Sequence, residues 1–300
     1  MPSVIVITGG ASGIGKTTAE ILAKQFPNKT IIITSRSQHS LDEAKATIGQ
    51  NAEGYQLELT DPASVAAFAQ TISSKIETNT WTVAAFIHNA GMIGNFEKSK
   101  AGIEKTFHAN HLGVFQLNSL IFPALLKSAK VEPCRIIVVS SELHDPVVAK
   151  TVHMPFPTFR DPEELTFQNS PDGKGYAVGV AYASSKLCNV LFTYELVKRL
   201  PRDSGITVNA FTPGWIPGTG LARNTGVIAR SVDSILSPFF SRKLQRSCAS
   251  LASIATDVQW KDVNGKYLEM GVDKKSSDLS YDAALQTRLW QFSENLIAKF

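Results

Sequence analysis

Three cysteines are all that the 300 residues contain, and Cys134, Cys188 and Cys248 stand in no CxxC or CxxH spacing. A disulfide framework and a zinc site are therefore not expected, and a reducing compartment fits. No Lys/Arg block interrupts the even spread of charge behind the net +4. The basic tracks that grip nucleic acid or an anionic membrane are missing. No run of about 18 apolar residues reads as a membrane span. Met1-Pro2 leads almost directly into Val4-Ile5-Val6-Ile7, which leaves no room for a signal peptide. These absences predict a soluble cytoplasmic protein with no bound metal. No internal repeat and no domain boundary is visible, so 1–300 reads as one domain.

What is present is an α/β rhythm. Hydrophobic residues make up 43% of the chain, enough for a sizeable core. Strands are read near 3–7, 30–34, 54–59, 83–88, 135–140, 206–211 and 265–268. Helices are read near 13–26, 41–48, 62–76, 100–109, 111–127, 181–200, 235–254 and 282–298. Runs such as Ile136-Ile137-Val138-Val139 do not alternate, as a parallel strand covered on both faces requires. The pattern predicts a doubly wound Rossmann fold: a mostly parallel seven-stranded sheet with helices on both faces. The rhythm fails over 142–180, which is rich in Pro, Gly and aromatics and too long for an ordinary connection.

Thr8-Gly9-Gly10-Ala11-Ser12-Gly13-Ile14-Gly15 follows the first strand and opens the first helix. Gly9, Gly13 and Gly15 let the backbone turn sharply and approach a pyrophosphate. The helix start, Ser12 to Gly15, offers unpaired N–H groups and a positive dipole end. At the end of the second strand an acidic residue would favour a free ribose 2′-hydroxyl. Here Ser35 is neutral and Arg36 follows, whose guanidinium suits a 2′-phosphate and hence NADP(H).

Tyr182-Ala183-Ser184-Ser185-Lys186 opens a later helix. Positions i and i+4 share a face, so phenol and ammonium look into one cleft. A nearby ammonium lowers a tyrosine pKa and makes Tyr182 a usable general acid.

With these motifs in order, the sequence resembles the short-chain dehydrogenase/reductase family. The resemblance also takes in Asn89-Ala90-Gly91 after strand four, Asn110, Ser140-Ser141 after strand five and Pro213-Gly214 after strand six. It implies that Tyr182 exchanges a proton with the substrate oxygen and that Lys186 holds the nicotinamide ribose. Ser141 would stabilise the developing charge, and Asn110 would position a water that resupplies protons through Lys186. Glu58-Leu59 would lie beside the adenine, and Asn89, Ala90 and Gly91 along the dinucleotide. Pro213, Gly214, Ile216 and Thr219 would flank the nicotinamide.

Asn110-His111-Leu112-Gly113-Val114-Phe115 and Tyr182-to-Leu191 are most similar to the retinol dehydrogenase and protochlorophyllide reductase branch. The long insert before Tyr182 agrees. Trp215 stands where the pigment reductases carry Cys, and His88 replaces the first Asn of the usual Asn-Asn-Ala-Gly.

The expected pocket walls are the insert and 215–247, with Phe156, Phe159, Phe167, Tyr176, Trp215, Leu221, Ile228, Phe239 and Phe240. Such walls suit a bulky hydrophobic carbonyl or alcohol. His144 stands within reach of a substrate. The reading is an NADP(H)-dependent oxidoreductase. Its alternatives are a C=C reductase and a nucleotide-binding protein without turnover. Family members pair through helices near 111–127 and 181–200. The insert is expected to cover that surface, which favours a monomer.

Overall fold

The computed structural model describes residues 1–167, 172–214 and 237–300, with side chains of the last segment from 243. The apolar runs become β1 (Ser3–Ile7), β2 (Thr30–Ser35), β3 (Ala52–Gln56), β4 (Thr82–His88), β5 (Cys134–Val139), β6 (Ile206–Thr212) and β7 (Tyr267–Glu269). They form one sheet in the order β3-β2-β1-β4-β5-β6-β7-β8, parallel throughout except for β8 (Val272–Lys274).

Successive strand residues feed opposite faces. Val4, Val6, Ile32, Phe86, Ile136 and Val138 pack on one side with helix α3 (Pro62–Glu77) and helix α4 (Lys105–Ala129). Ile5, Ile7, Ile31, Ile33, Ile87 and Ile137 pack on the other with α1 (Gly13–Gln25) and α2 (Gln38–Ile48). Helix α7 (Ser237–Thr256) joins that second face through Leu251, Ala252 and Ala255. The strand order reverses between β1 and β4. The crevice at their carboxyl ends is where ligands bind in such sheets.

Among the described residues eight strands stand where seven were expected. Among β8 residues all three are exposed, so no apolar alternation marks the strand in the sequence. A two-residue turn at Met270 (φ 46°) and Gly271 (φ 82°) returns the chain. Lys266–Asp273 (2.8 Å) and Lys274–Glu269 (2.7 Å) tie the charged edge.

The two helices expected around Asn110 are one helix, α4. Neither Pro nor Gly stands at 110 to break it, and the irregularity is a π-turn over His108–Leu112. Helix α4 is long and apolar enough to cross a membrane by length and composition. It is instead a core helix, with 67% of its apolar window buried in the fold.

The insert carries a short helix, α5 (Pro146–Thr151). The helix expected over 181–200 is α6 (Val178–Arg199), and the last helix is α8 (Ala283–Ile297). The face of α4 and α6 expected under the insert lies chiefly under α8. Trp290 wedges there against Phe115 (4.9 Å between rings), Phe192 (5.9 Å) and the Arg199 guanidinium (4.5 Å). From the insert, Phe159 and Leu165 join the same core at its side.

Candidate active site

The glycine loop is held from below by strand-four residues. Asn89 Nδ2 donates to the Thr8 carbonyl (2.9 Å), and Thr8 Oγ accepts from the Asn89 and Ala90 amides (3.0 Å each). The Asn89 side chain is thus spent on the loop's shape. Gly9 (φ 65°) and Gly13 (φ 52°) take left-handed turns. A Cβ at Gly15 would sit 2.5 Å from Asn89 Nδ2 and from the Gly9 carbonyl, so only glycine fits.

This cradle meets the requirements of a dinucleotide pyrophosphate. Helices α2 and α3 are capped by Ser37 and Asp61, whereas Ser12 gives α1 no side-chain cap and its first turn holds no acid. The open N–H groups after Ser12, including those of Ile14 and Gly15, are free to meet an anion.

Arg36 is exposed at the end of β2 and pairs with Glu58 at 3.7 Å. The other Glu58 oxygen caps its own turn, accepting from the Thr60 amide (2.9 Å) and hydroxyl (2.8 Å). Beside it the Leu59 side chain is core, 6% exposed, which leaves only backbone for a ligand.

Tyr182 and Lys186 meet at the carboxyl ends of β4 and β5. Lys186 Nζ lies 5.7 Å from the centre of the Tyr182 ring and donates to the Val139 carbonyl at 2.9 Å. A Cβ added to Gly91 would lie 3.4 Å from that Nζ and 3.3 Å from Asn110 Oδ1. One glycine therefore marks where Asn110 and Lys186 converge. Ser141 faces the Tyr182 hydroxyl closely enough to lower its pKa. Ser140 points away, its hydroxyl donating to the Lys186 carbonyl (2.8 Å).

Burial dominates the electrostatics. It pushes the Tyr182 phenol up to about 12, against a smaller downward pull from Ser141. This corrects the expectation of a lowered phenol. The ammonium bonds a main-chain carbonyl instead, and desolvation wins. Burial also lowers Lys186 to about 8. At neutral pH the phenol holds its proton and is poised as an acid.

His144 is not free to meet a substrate. It is 1% exposed, with Nδ1 on the Ser141 carbonyl (2.8 Å) and Nε2 accepting from the Ser277 amide (3.1 Å). His88 is buried and neutral, its pKa lowered to about 3, and packs on Phe86 at 4.8 Å.

Phe159 is a core residue, and Phe96, Phe167 and Tyr176 meet edge to face at 5.3–5.8 Å between ring centres. Among the described wall residues Phe156 alone shares a cluster with Tyr182, the two packing with Met154 on Leu143, Ala149 and Ala183. Pro213 and Gly214 (φ 68°) end β6. Trp215, Ile216, Thr219, Leu221 and Ile228 lie outside the described residues, as do the Phe239 and Phe240 side chains.

Ser185 and Met92 belong to the site although no sequence motif singles them out. Asn110 Oδ1 accepts from the Met92 amide (2.7 Å). Its Nδ2 donates to the Met92 carbonyl (2.8 Å) and to Ser185 Oγ (2.9 Å). Three residues from Tyr182, Ser185 shares its helix face, which is the one signal that could have found it.

A profile of the short chain dehydrogenase family matches residues 3–152. Retinol dehydrogenase 13 of Homo sapiens is 33% identical over 98% of this chain and 84% of its own length. Short-chain dehydrogenase TIC 32 A of Brassica napus, a chloroplastic protein, is 31% identical over 97% of this chain and 88% of its own. Among solved structures, an uncharacterized protein from Mycobacterium Paratuberculosis superposes with a TM-score of 0.73. It is 25% identical and covers 99% of this chain and 96% of its own.

Proposed function

The chain belongs to the short-chain dehydrogenase/reductase family, and on that premise we propose an NADP(H)-dependent oxidoreductase acting on a bulky hydrophobic carbonyl or alcohol. The observation that carries this reading is the convergence of Asn110 and Lys186 beside Gly91, with the Tyr182 ring under the same ammonium and Ser141 facing its phenol, at the crevice that the uncapped start of α1 also faces.

A nicotinamide bound there supplies or takes up the hydride at the substrate carbon. Tyr182 gives its proton to the carbonyl oxygen as that oxygen becomes an alcohol, and takes it back in the reverse direction. Ser141, beside the phenol, donates to the same oxygen as negative charge develops. Lys186, buried and fixed by Val139, holds the ribose and keeps positive charge near the phenol.

Arg36 favours the phosphorylated dinucleotide because it is itself exposed and holds the half-buried Glu58 only at 3.7 Å, a pairing that a 2′-phosphate can displace. Met154 and Phe156 beside Tyr182 favour an apolar substrate. We place the protein in the cytoplasm. We expect a monomer because α8 occupies the α4 and α6 face; a solution mass near twice 32.5 kDa would overturn that.

The test is NADPH oxidation by purified protein over a panel of ketones, aldehydes and quinones. Tyr182→Phe should lower turnover by roughly 10²–10⁴. Undiminished turnover in that variant would show the acid to be another group, and a saturated carbonyl product would move the reaction to C=C reduction.

A further inference from the structure

Helix α6 presents Tyr182, Ser185, Lys186 and Asn189 at spacings of three and four residues, all on one face. Tyr182 and Lys186 face the reaction. The other two converge on Asn110. Ser185 Oγ accepts from the Asn110 side-chain amide at 2.9 Å and donates to the Tyr182 carbonyl at 2.7 Å. Asn189 Nδ2 donates to the main-chain carbonyl of Asn110 at 2.7 Å.

The Asn110 amide has two hydrogens, given to Met92 and Ser185, and its Oδ1 is taken by the Met92 amide. Its side chain is therefore a brace between the strand-four loop and α6. The carbonyl remains, and it sits inside the π-turn His108–Leu112. Such a widened turn displaces carbonyls from the regular helical ladder, and this one is met by a donor from outside the helix. Asn189 is that donor. It is 2% exposed, and its Oδ1 has no hydrogen-bond partner among the described residues. A buried amide half unsatisfied costs stability that an apolar residue of like volume would not.

We propose that Asn189 is a positioning residue of the hydride-transfer site, holding the Asn110 carbonyl so that Met92, Ser185, Tyr182 and Lys186 keep their spacing. Its effect on turnover rests on the redox reading above; its effect on the turn does not.

The test is Asn189→Leu, with Asn189→Ala as the smaller variant should the first fail to fold. Three quantities are read: steady-state turnover on an accepted carbonyl, NADPH affinity by fluorescence, and amide hydrogen exchange over 105–115. The donor is lost in both variants. We expect kcat to fall roughly ten- to a hundred-fold, with KM and NADPH affinity held within about two-fold. Exchange over 105–115 should quicken. Unchanged kcat in a folded variant overturns the proposal, and so does a fall in kcat that merely tracks the folded fraction. Should the wild-type protein turn over no carbonyl, the redox reading fails instead. Exchange over 105–115 then decides alone, and unchanged exchange overturns the positioning role.

Discussion

The glycine loop and the proposed catalytic face of α6 are neighbours held by different means. The loop is shaped by backbone: glycine torsions, main-chain carbonyls and the amides of Asn89 and Ala90 received by Thr8. Side chains from several distant segments assemble the catalytic face, including Asn110 from α4, Ser141 from the end of β5 and an apolar wall from the insert. The loop is consequently a motif readable in eight consecutive residues. The catalytic face is a constellation whose members identify themselves only in space, and it depends on the insert being packed as core.

That dependence is tested most severely at Phe159. The sequence allows it as pocket wall, but the structure buries it with Phe107 and Leu187. Phe159→Ala should cost about 3–5 kcal/mol of stability by denaturant titration. A loss confined to substrate KM, with stability intact, would return the insert to pocket lining and break the contrast.

On the other side, Gly15→Ala places a Cβ 2.5 Å from two atoms of the loop. The loop must open, and NADPH affinity should fall about a hundred-fold, ~2.7 kcal/mol. Tight binding in this variant would mean that backbone shape is not what makes the site.

Lys186 separates the two regions by pH. Burial lowers it from 10.5 to about 8 in the folded protein. Between those values the unfolded chain holds the extra proton, so this group's penalty is full below about pH 8 and fades as pH rises to about 10.5. Lys186→Met should therefore raise the stability of the nucleotide-free protein by about 1–3 kcal/mol at pH 7, with the gain shrinking toward pH 10. Thermal melts at the two pH values check the sign. Equal melting at pH 7 would show the ammonium to be well solvated.

The smallest effect is expected at Arg36. Arg36→Ala should raise KM for NADPH about ten-fold, ~1.4 kcal/mol, and leave NADH unaffected. A parallel loss for both nucleotides would assign Arg36 to the loop's shape rather than to the phosphate.

Much of this molecule was legible in one dimension. Non-alternating runs such as Val4–Ile7 and Ile136–Val139 could only be strands covered on both faces, because successive side chains point oppositely and both faces here are core. The glycine loop and the Tyr182–Lys186 spacing are equally local, since a turn and a helix face are fixed by neighbours a few residues away. The tertiary structure alone decided the rest. It made Asn110 a brace, bonded to Met92 and to residues 75 and 79 positions away on α6. It buried His144 against Ser277, set Trp290 over the α4–α6 face, and raised the Tyr182 phenol by burial where the ammonium alone predicted a fall. Hydrogen-bond partners and desolvation depend on which distant segments come together, and no periodicity along the chain records that.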